Sequence, residues 1–259
     1  SAGSAYIFNA TCATYSTYAL TAFCDSFVSP SGNYTWTTTG TYYDTIPNAA
    51  GCDSVLTINL TVSTPNWDQI IKAVASDRAS SDNFGYSVAI SGDYAIVGAP
   101  YESEDTSGSN TASNAGSAYI FENTAGTWSE VQKIVASDRA SYDNFGWSVA
   151  ISGDYAIVSA PIESEDTSGS NTAINAGSAY IFENTAGTWI QAEKIVASDR
   201  AAGDFFGRSV AISGDWAIVG APIESEDAYG NNTLDSAGSA YIIKNTGGTW
   251  AQVQKIVAS

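Results

Sequence analysis

"SVAISGDYAIVGAP" occupies residues 87–100, returns as "SVAISGDYAIVSAP" at 148–161, and returns again as "SVAISGDWAIVGAP" at 209–222. Its first half alternates apolar and polar residues, as a strand with one buried face does. Gly92-Asp93 then interrupts the pattern with glycine first, which suits a two-residue type II′ hairpin turn. A second strand follows, and Pro100 stops it. Outward from this hairpin the period holds. Phe84, Phe145 and Phe206 stand 61 residues apart, and so do Trp67, Trp128, Trp189 and Trp250. Residues 77–137 and 138–198 differ at nine of 61 positions, and 199–259 keeps the same frame more loosely. Within a unit, a polar loop "YESEDTSGSNTASNAG" (101–116) leads to "SAYIFE" (117–122), and "NTAG" (123–126) turns the chain into "TWSEVQKIVAS" (127–137). Each unit therefore reads as four short antiparallel strands in one twisted sheet. Three such sheets in series are expected either around an axis or stacked in a solenoid.

"NFGYSVAISGDYAIVGAP" resembles the FG-GAP repeat, which builds the seven-bladed propeller of integrin α-subunits and recurs in bacterial surface proteins. The resemblance covers residues 77–259. It departs in the middle unit, where Ser159 replaces the first glycine of Gly-Ala-Pro. It implies an all-β fold of β-propeller-type four-stranded blades, with "SVAIS" near the axis and "QKIVAS" near the rim. Many FG-GAP blades bind calcium in an acidic loop between the Phe-Gly strand and the Gly-Ala-Pro strand. Here that connection is only Ser91-Gly92-Asp93, Ser152-Gly153-Asp154 or Ser213-Gly214-Asp215. It is too short for a cation that takes six to eight oxygens. The family's metal site is therefore not carried over, and Asp93, Asp154 and Asp215 read as turn residues.

The front of the chain breaks the period. Tyr6 in "SAGSAYIF" matches Tyr119 at a distance of 113 residues, 52 more than one period. The expected organisation is three full blades plus one split blade. Residues 1–8 form the outer strand of the split blade, 9–64 a small inserted β module, and 65–76 the remainder of the split blade. Blades then follow at 77–137, 138–198 and 199–259. Alternatively, residues 1–8 end one array and Trp67 begins another, with the module as a bead between them. "NYTWTTTGTYYDTI" and "SVLTINLTV" read as strands of a small β-sandwich. The segment from Cys24 to Val62 resembles small Ig-like modules of secreted bacterial adhesins. "CDS" occurs at both Cys24 and Cys52, which favours that pair as the disulfide and leaves Cys12 odd. A Cys12–Cys52 bond is the alternative.

Charge and composition bound the function. Lys plus Arg number 9 against 27 Asp plus Glu, giving a net charge of −18. That repels nucleic-acid phosphates and attracts cations, calcium above all. There is no histidine, which removes the Ser-His-Asp and Cys-His systems and the usual zinc ligands. An enzyme would have to work with carboxylates alone, so no catalytic activity is expected. Clustered cysteines in a Thr-rich acidic β sequence suggest an oxidising, extracellular setting; three buried thiols are the other reading. No apolar run reaches the ~20 residues of a membrane span. The sequence reads as a piece of a longer secreted bacterial protein.

The acidic loops "ESED" are the candidate calcium ligands: Glu102, Glu104 and Asp105; Glu163, Glu165 and Asp166; Glu224, Glu226 and Asp227. Weak calcium binding there, or a merely solvated acidic loop, are the two readings. Asp77-Arg78, Asp138-Arg139 and Asp199-Arg200 recur at the start of each unit, where the arginine would tie a blade to its neighbour through a carboxylate. The periodic tryptophans are read as core or inter-blade packing. Tyr86, Trp147 and Arg208 share one variable position beside Phe-Gly. The whole is expected to be a non-enzymatic extracellular structural or adhesive protein, a cell-surface adhesin or fibre subunit. Its expected partners are further copies of itself, joined by completion of the split blade, or a cell-surface glycan or protein, with no nucleic acid and no membrane insertion. The alternative is a calcium-dependent ligand- or glycan-binding propeller.

Overall fold

The computed structural model describes residues 15–22, 26–47, 53–62, 70–170, 172–227, 230 and 234–258. The chain divides into two compact units, Ser1–Ile70 and Ile71–Ser259. Among the described residues the fold is all-β, without helix.

The first unit holds β1 (Tyr15–Ala22), β2 (Phe27–Val28), β3 (Thr35–Trp36), β4 (Gly40–Pro47) and β5 (Asp53–Val62). β5 is central, parallel to β1 and antiparallel to β4. Its alternation buries Leu56, Ile58 and Leu60 on one face. The β2–β3 ribbon sets Phe27 and Trp36 on that core, and Trp36 stacks on Tyr42 at 4.5 Å. The run expected as one strand from Asn33 is divided into β3 and β4. Asp44 is buried where the Ser31 and Thr45 amides donate to its carboxylate. Burial pushes that carboxyl up, but these bonds outweigh it and hold it below the usual range. Cys12, Cys24 and Cys52, the strand expected at 1–8 and the segment 65–69 lie outside the described residues.

The second unit contains three four-stranded antiparallel sheets of the propeller-blade type. Blade one is β6 (Ser87–Ser91), β7 (Tyr94–Ala99), β8 (Ser117–Thr124) and β9 (Thr127–Ile134). Blade two is β10 (Val149–Ser152), β11 (Tyr155–Ala160), β12 (Ser178–Thr185) and β13 (Thr188–Ile195). Blade three is β14 (Ser209–Ser213), β15 (Trp216–Ala221), β16 (Ser239–Thr246) and β17 (Thr249–Val257). Each is a meander in chain order. Ser91 pairs with Tyr94, and of the two residues between them only Gly92 has a positive φ, which is the type II′ signature. The outer hairpin closes on Thr124–Thr127 with Ala125 and Gly126 both at positive φ, so it is type I′.

A meander of this kind has two apolar faces and cannot dry both by itself. Ile96, Ile120 and Ile134 of blade one bury against Phe145, Val149 and Ile151 of blade two. Ile157, Ile181 and Ile195 of blade two meet Phe206, Val219 and Tyr241 of blade three. The inner strands of neighbouring blades pack together, β6 on β10 and β10 on β14. The tryptophans seal the outer part of each interface. Trp189 is edge-on to Tyr94 of the preceding blade, and Trp250 edge-on to Tyr155.

Ahead of each Phe-Gly the backbone takes a left-handed turn. Asn83 and Asn144 fill it at φ +56° and +58°, but in blade three Phe205 does, at φ +55°. Asparagine tolerates this region, and the Asn144 amide also donates to the carbonyls of Pro100 and Asn114. An aromatic residue has no such compensation. Phe205→Asn is therefore expected to stabilise the protein by about 1 kcal/mol, read as a higher midpoint in denaturant unfolding.

Candidate functional site

Each blade buries one lysine, and the polar groups of the blade converge on it. In blade one Lys133, near the end of β9, places its Nζ 2.6 Å from Asp77 Oδ2 and 3.4 Å from Glu102 Oε2. The Tyr119 hydroxyl lies 2.8 Å from Asp77 Oδ1 and 3.0 Å from Glu102 Oε2. In blade two Lys194 is 2.6 Å from Asp138 and 3.2 Å from Glu163, and Tyr180 donates to Asp138. In blade three Lys255 is 2.6 Å from Asp199 and 3.0 Å from Glu224, and Tyr241 donates to Asp199. Ser178 and Ser239 also donate to Glu163 and Glu224. The ammonium lies 5.6–5.8 Å from the tyrosine ring centre in all three. The lock joins the segment that opens the blade, the loop after its second strand, its third strand and its fourth.

Strand geometry places these groups. Tyr119 and Lys133 are directly paired across β8 and β9, so their side chains leave the sheet on one face. Glu102 is set by Pro100, which ends β7 and starts the turn. The electrostatics are those of a dry cation shared by two carboxylates. Burial pushes Asp77 up, but hydrogen bonds from Lys133 and Tyr119 outweigh it and leave the carboxyl below its ordinary value. Burial pulls Lys255 down, and its bonds to Asp199 and Glu224 more than restore it, so the ammonium is held charged. Burial and the adjacent carboxylates drive the three tyrosines far above the ordinary phenol value. Such a site holds charge in place. Its three tyrosines stay protonated near neutral pH.

The acidic loop is divided by this arrangement. Glu102, Glu163 and Glu224 are buried against lysine. The amides of Glu104, Glu165 and Glu226 donate back to those same carboxylates, 2.5–2.6 Å away. Asp105 and Asp166 instead hold the following turn, each accepting from the amides and hydroxyl of the next serines, Ser107 and Ser109 or Ser168 and Ser170. Hydrogen bonds from Ser107 and Asn110 hold Asp105 well below the usual carboxylate range. The Asp227 carbonyl accepts from Gly230 in the same turn. Among the described residues, one group of three carboxylates converges: oxygens of Asp199, Glu224 and Glu226 lie within 4.8 Å of one another. The Lys255 ammonium is already among them.

Arg139 and Arg200 do join blades, and their acceptors among the described residues are main-chain carbonyls. Arg139 donates to the carbonyls of Ser103 and Asn110 of the preceding blade, and Arg200 to that of Ser164. Lysine already holds the buried glutamate of that loop, so the guanidinium meets main chain. Asp82, Asp143 and Asp204 accept the amides of Ala79, Ala140 and Ala201 and so cap the turn before Phe-Gly. Burial, then the carboxylates of Glu163 and Asp138, push Asp143 up to about 7. Tyr86, Trp147 and Arg208 form a ladder across the blades. Tyr86 and Trp147 have ring centres 4.7 Å apart, and the Arg208 guanidinium sits 4.3 Å over Trp147.

The geometry defines a class: a tandem array of four-stranded β blades, each stapled internally by a buried lysine and to its neighbour through a Phe-Gly turn. A family model for the FG-GAP repeat matches residues 67–121, 128–182 and 189–243, and the chain belongs to that family. The family unit starts at the tryptophan, one strand out of phase with the sheets. A comparison with curated proteins finds none that matches.

Two outcomes test the lock. Lys194→Ala leaves the buried Glu163 and the half-buried Asp138 without their counter-charge and is expected to cost about 3 kcal/mol, measured by chemical denaturation. Asp143 has a folded pKa above its unfolded value. The folded state thus holds a proton that the unfolded state gives up between about pH 4 and pH 7. Its contribution is most favourable below pH 4 and is lost as the pH rises through about 7. Asp143→Asn is therefore expected to gain stability over the parent at pH 8, and the gain is expected to vanish near pH 4.

Proposed function

We propose that this chain is a non-enzymatic adhesive and structural element of the cell exterior, a part of a surface adhesin or an extracellular fibre. One observation carries the reading. The same charged lock recurs in every blade at the full period, so the carboxylates that an acid-base mechanism would need serve to hold the blades. What varies least is scaffold, and what is displayed is repeated surface. A chain built from near-copies suits spanning and display, because no single blade is made different enough to hold one reaction. The high negative charge keeps such a surface soluble and free of nucleic acid. Antibodies against the chain are expected to label intact, unpermeabilised cells of the source organism. Labelling that requires lysis would overturn the reading.

A second reading, calcium-dependent ligand or glycan binding, draws on the convergence of Asp199, Glu224 and Glu226. Calcium would have to displace Lys255 from this group. Were it to do so, about 1 mM calcium, the range of extracellular modules, would raise the thermal midpoint, and Glu226→Gln would remove the rise. An unchanged midpoint in calcium and in chelator excludes that site.

A further inference from the structure

Each lock joins the segment that opens its blade to the strand that ends it. Asp77 and Lys133 stand 56 positions apart, as do Asp138 and Lys194, and Asp199 and Lys255. Between blades the spacing is short: Lys133 and Asp138 are five positions apart, and so are Lys194 and Asp199. Tension entering at Asp77 would therefore cross each blade through one Asp–Lys contact and bypass its sheet. A salt bridge is a weak link in such a path, because an ion pair that opens to water regains its hydration. The same contacts are arranged as reactants.

In all three locks the lysine Nζ lies 2.6 Å from one aspartate oxygen, Oδ2. The other oxygen, Oδ1, accepts from a tyrosine hydroxyl: Tyr119 at 2.8 Å, Tyr180 at 3.0 Å and Tyr241 at 2.9 Å. A buried glutamate oxygen stands beside the same Nζ, at 3.4 Å for Glu102, 3.2 Å for Glu163 and 3.0 Å for Glu224. These are a nucleophile, a carboxyl group polarised at one oxygen, and a proton carrier next to the nucleophile. Side-chain exposure is 8% at Lys133 and 3% at Glu102, but 30% at Asp77. The amine and the proton carrier are therefore dry, while the aspartate keeps a route by which a released water can leave.

We propose that each lock closes covalently, by condensation of the lysine Nζ with the aspartate Cγ to an isopeptide amide: Lys133 with Asp77, Lys194 with Asp138, and Lys255 with Asp199. The ion pair is the reactant. One ammonium proton passes to Oδ2 along the 2.6 Å hydrogen bond and leaves a neutral amine against a neutral acid, with the total charge unchanged. The amine attacks Cγ, and the tyrosine hydroxyl steadies the charge that develops on Oδ1. The glutamate takes a second proton from the nitrogen as the bond forms and returns it to Oδ2. The Cγ–Oδ2 bond breaks, water departs, and Nζ keeps one hydrogen as an amide N–H. Nothing is oxidised or reduced, and no co-reactant is needed.

The surroundings favour the product. Condensation removes a buried cation and its carboxylate together, and with them the cost of keeping that pair out of water. The glutamate stays satisfied. Glu102 retains the Tyr119 hydroxyl and the Glu104 amide, Glu163 retains Ser178 and the Glu165 amide, and Glu224 retains Ser239 and the Glu226 amide. The new amide N–H donates where the ammonium did. Groups held in contact react as though at an effective concentration of about 10⁵–10⁸ M, and this reaction has to occur only once in each blade. The ionised resting pair slows the step without changing its product. The load path through every blade then becomes covalent. This inference goes beyond the surface reading and does not depend on it.

Intact mass spectrometry of the folded 259-residue chain, reduced and unfolded just before measurement, tests it. The mass is expected to fall short of the sequence mass by three waters, one for each lock. Proteolytic peptides containing Lys133, Lys194 and Lys255 are expected to carry those containing Asp77, Asp138 and Asp199. Lys194→Arg keeps the positive charge but removes the amine nucleophile. Glu163→Gln keeps the shape but removes the proton carrier. Each variant is expected to lose two waters instead of three, and closure of the other two locks shows that it folds. The full sequence mass in the parent, a loss of water without joined peptides, or a loss of three waters in either variant overturns the proposal.

Discussion

A four-stranded meander with two apolar faces needs a neighbour on each side, and everything in the repeat region follows from that. Burying one isoleucine is worth about 1.5–3 kcal/mol, and each trailing face offers several, such as Ile96, Ile120 and Ile134. The faces can close only if the backbones come near enough to exclude water. The Phe-Gly turn and the small residues at the end of each second strand make that possible. The glycines are therefore marks of docking first and of turn geometry second. Ser159 shows how narrow the tolerance is. Its side chain remains because its hydroxyl folds back onto Ser148 within its own blade.

The lysine lock solves a second problem that this packing creates. The loop after the second strand must leave the core at a fixed place, or the surface it offers the next blade would lose its shape. A buried lysine bridging two carboxylates is not an economical source of stability, since desolvation offsets most of the attraction. It does fix direction. Asp77, Glu102, Tyr119 and Lys133 come from four segments of one blade, and their bonds are satisfied only when all four are in register. Arginine then carries the order across to the next blade through main-chain carbonyls.

Much of this was legible in the sequence because it repeats. Strands, both hairpin turns and the blade frame follow from alternation, Gly-Asp, Ala-Gly and a constant period. The inter-blade role of Trp189 and Trp250 was legible for the same reason. The lock was not. "ESED" reads as a hydrophilic cluster, and nothing in its spacing says that its first glutamate turns inward while its aspartate caps an outer turn. That division depends on a lysine some thirty residues away, which looks like any strand lysine. The usable signal was scarcity. Lys133, Lys194 and Lys255 recur at the period in a chain with only nine cations. The arginine contact was misread in its acceptor because sequence pairs charge with charge, whereas the nearest carboxylate was already engaged.

The distribution of those cations also limits what the surface can do. Three lysines are buried in locks. Arg139 and Arg200 bridge blades, Arg208 covers Trp147, and Lys244 sits 5.0 Å over Trp216. Seven of the nine positive groups are thus engaged with acids, carbonyls or aromatic faces of the chain itself. The remaining surface is acidic and dominated by carboxylates, serines and exposed loop backbone. Blades that carry this charge come together only where apolar faces and main-chain donors and acceptors outweigh the repulsion, as where Ile96 and Ile120 meet Phe145 and Val149.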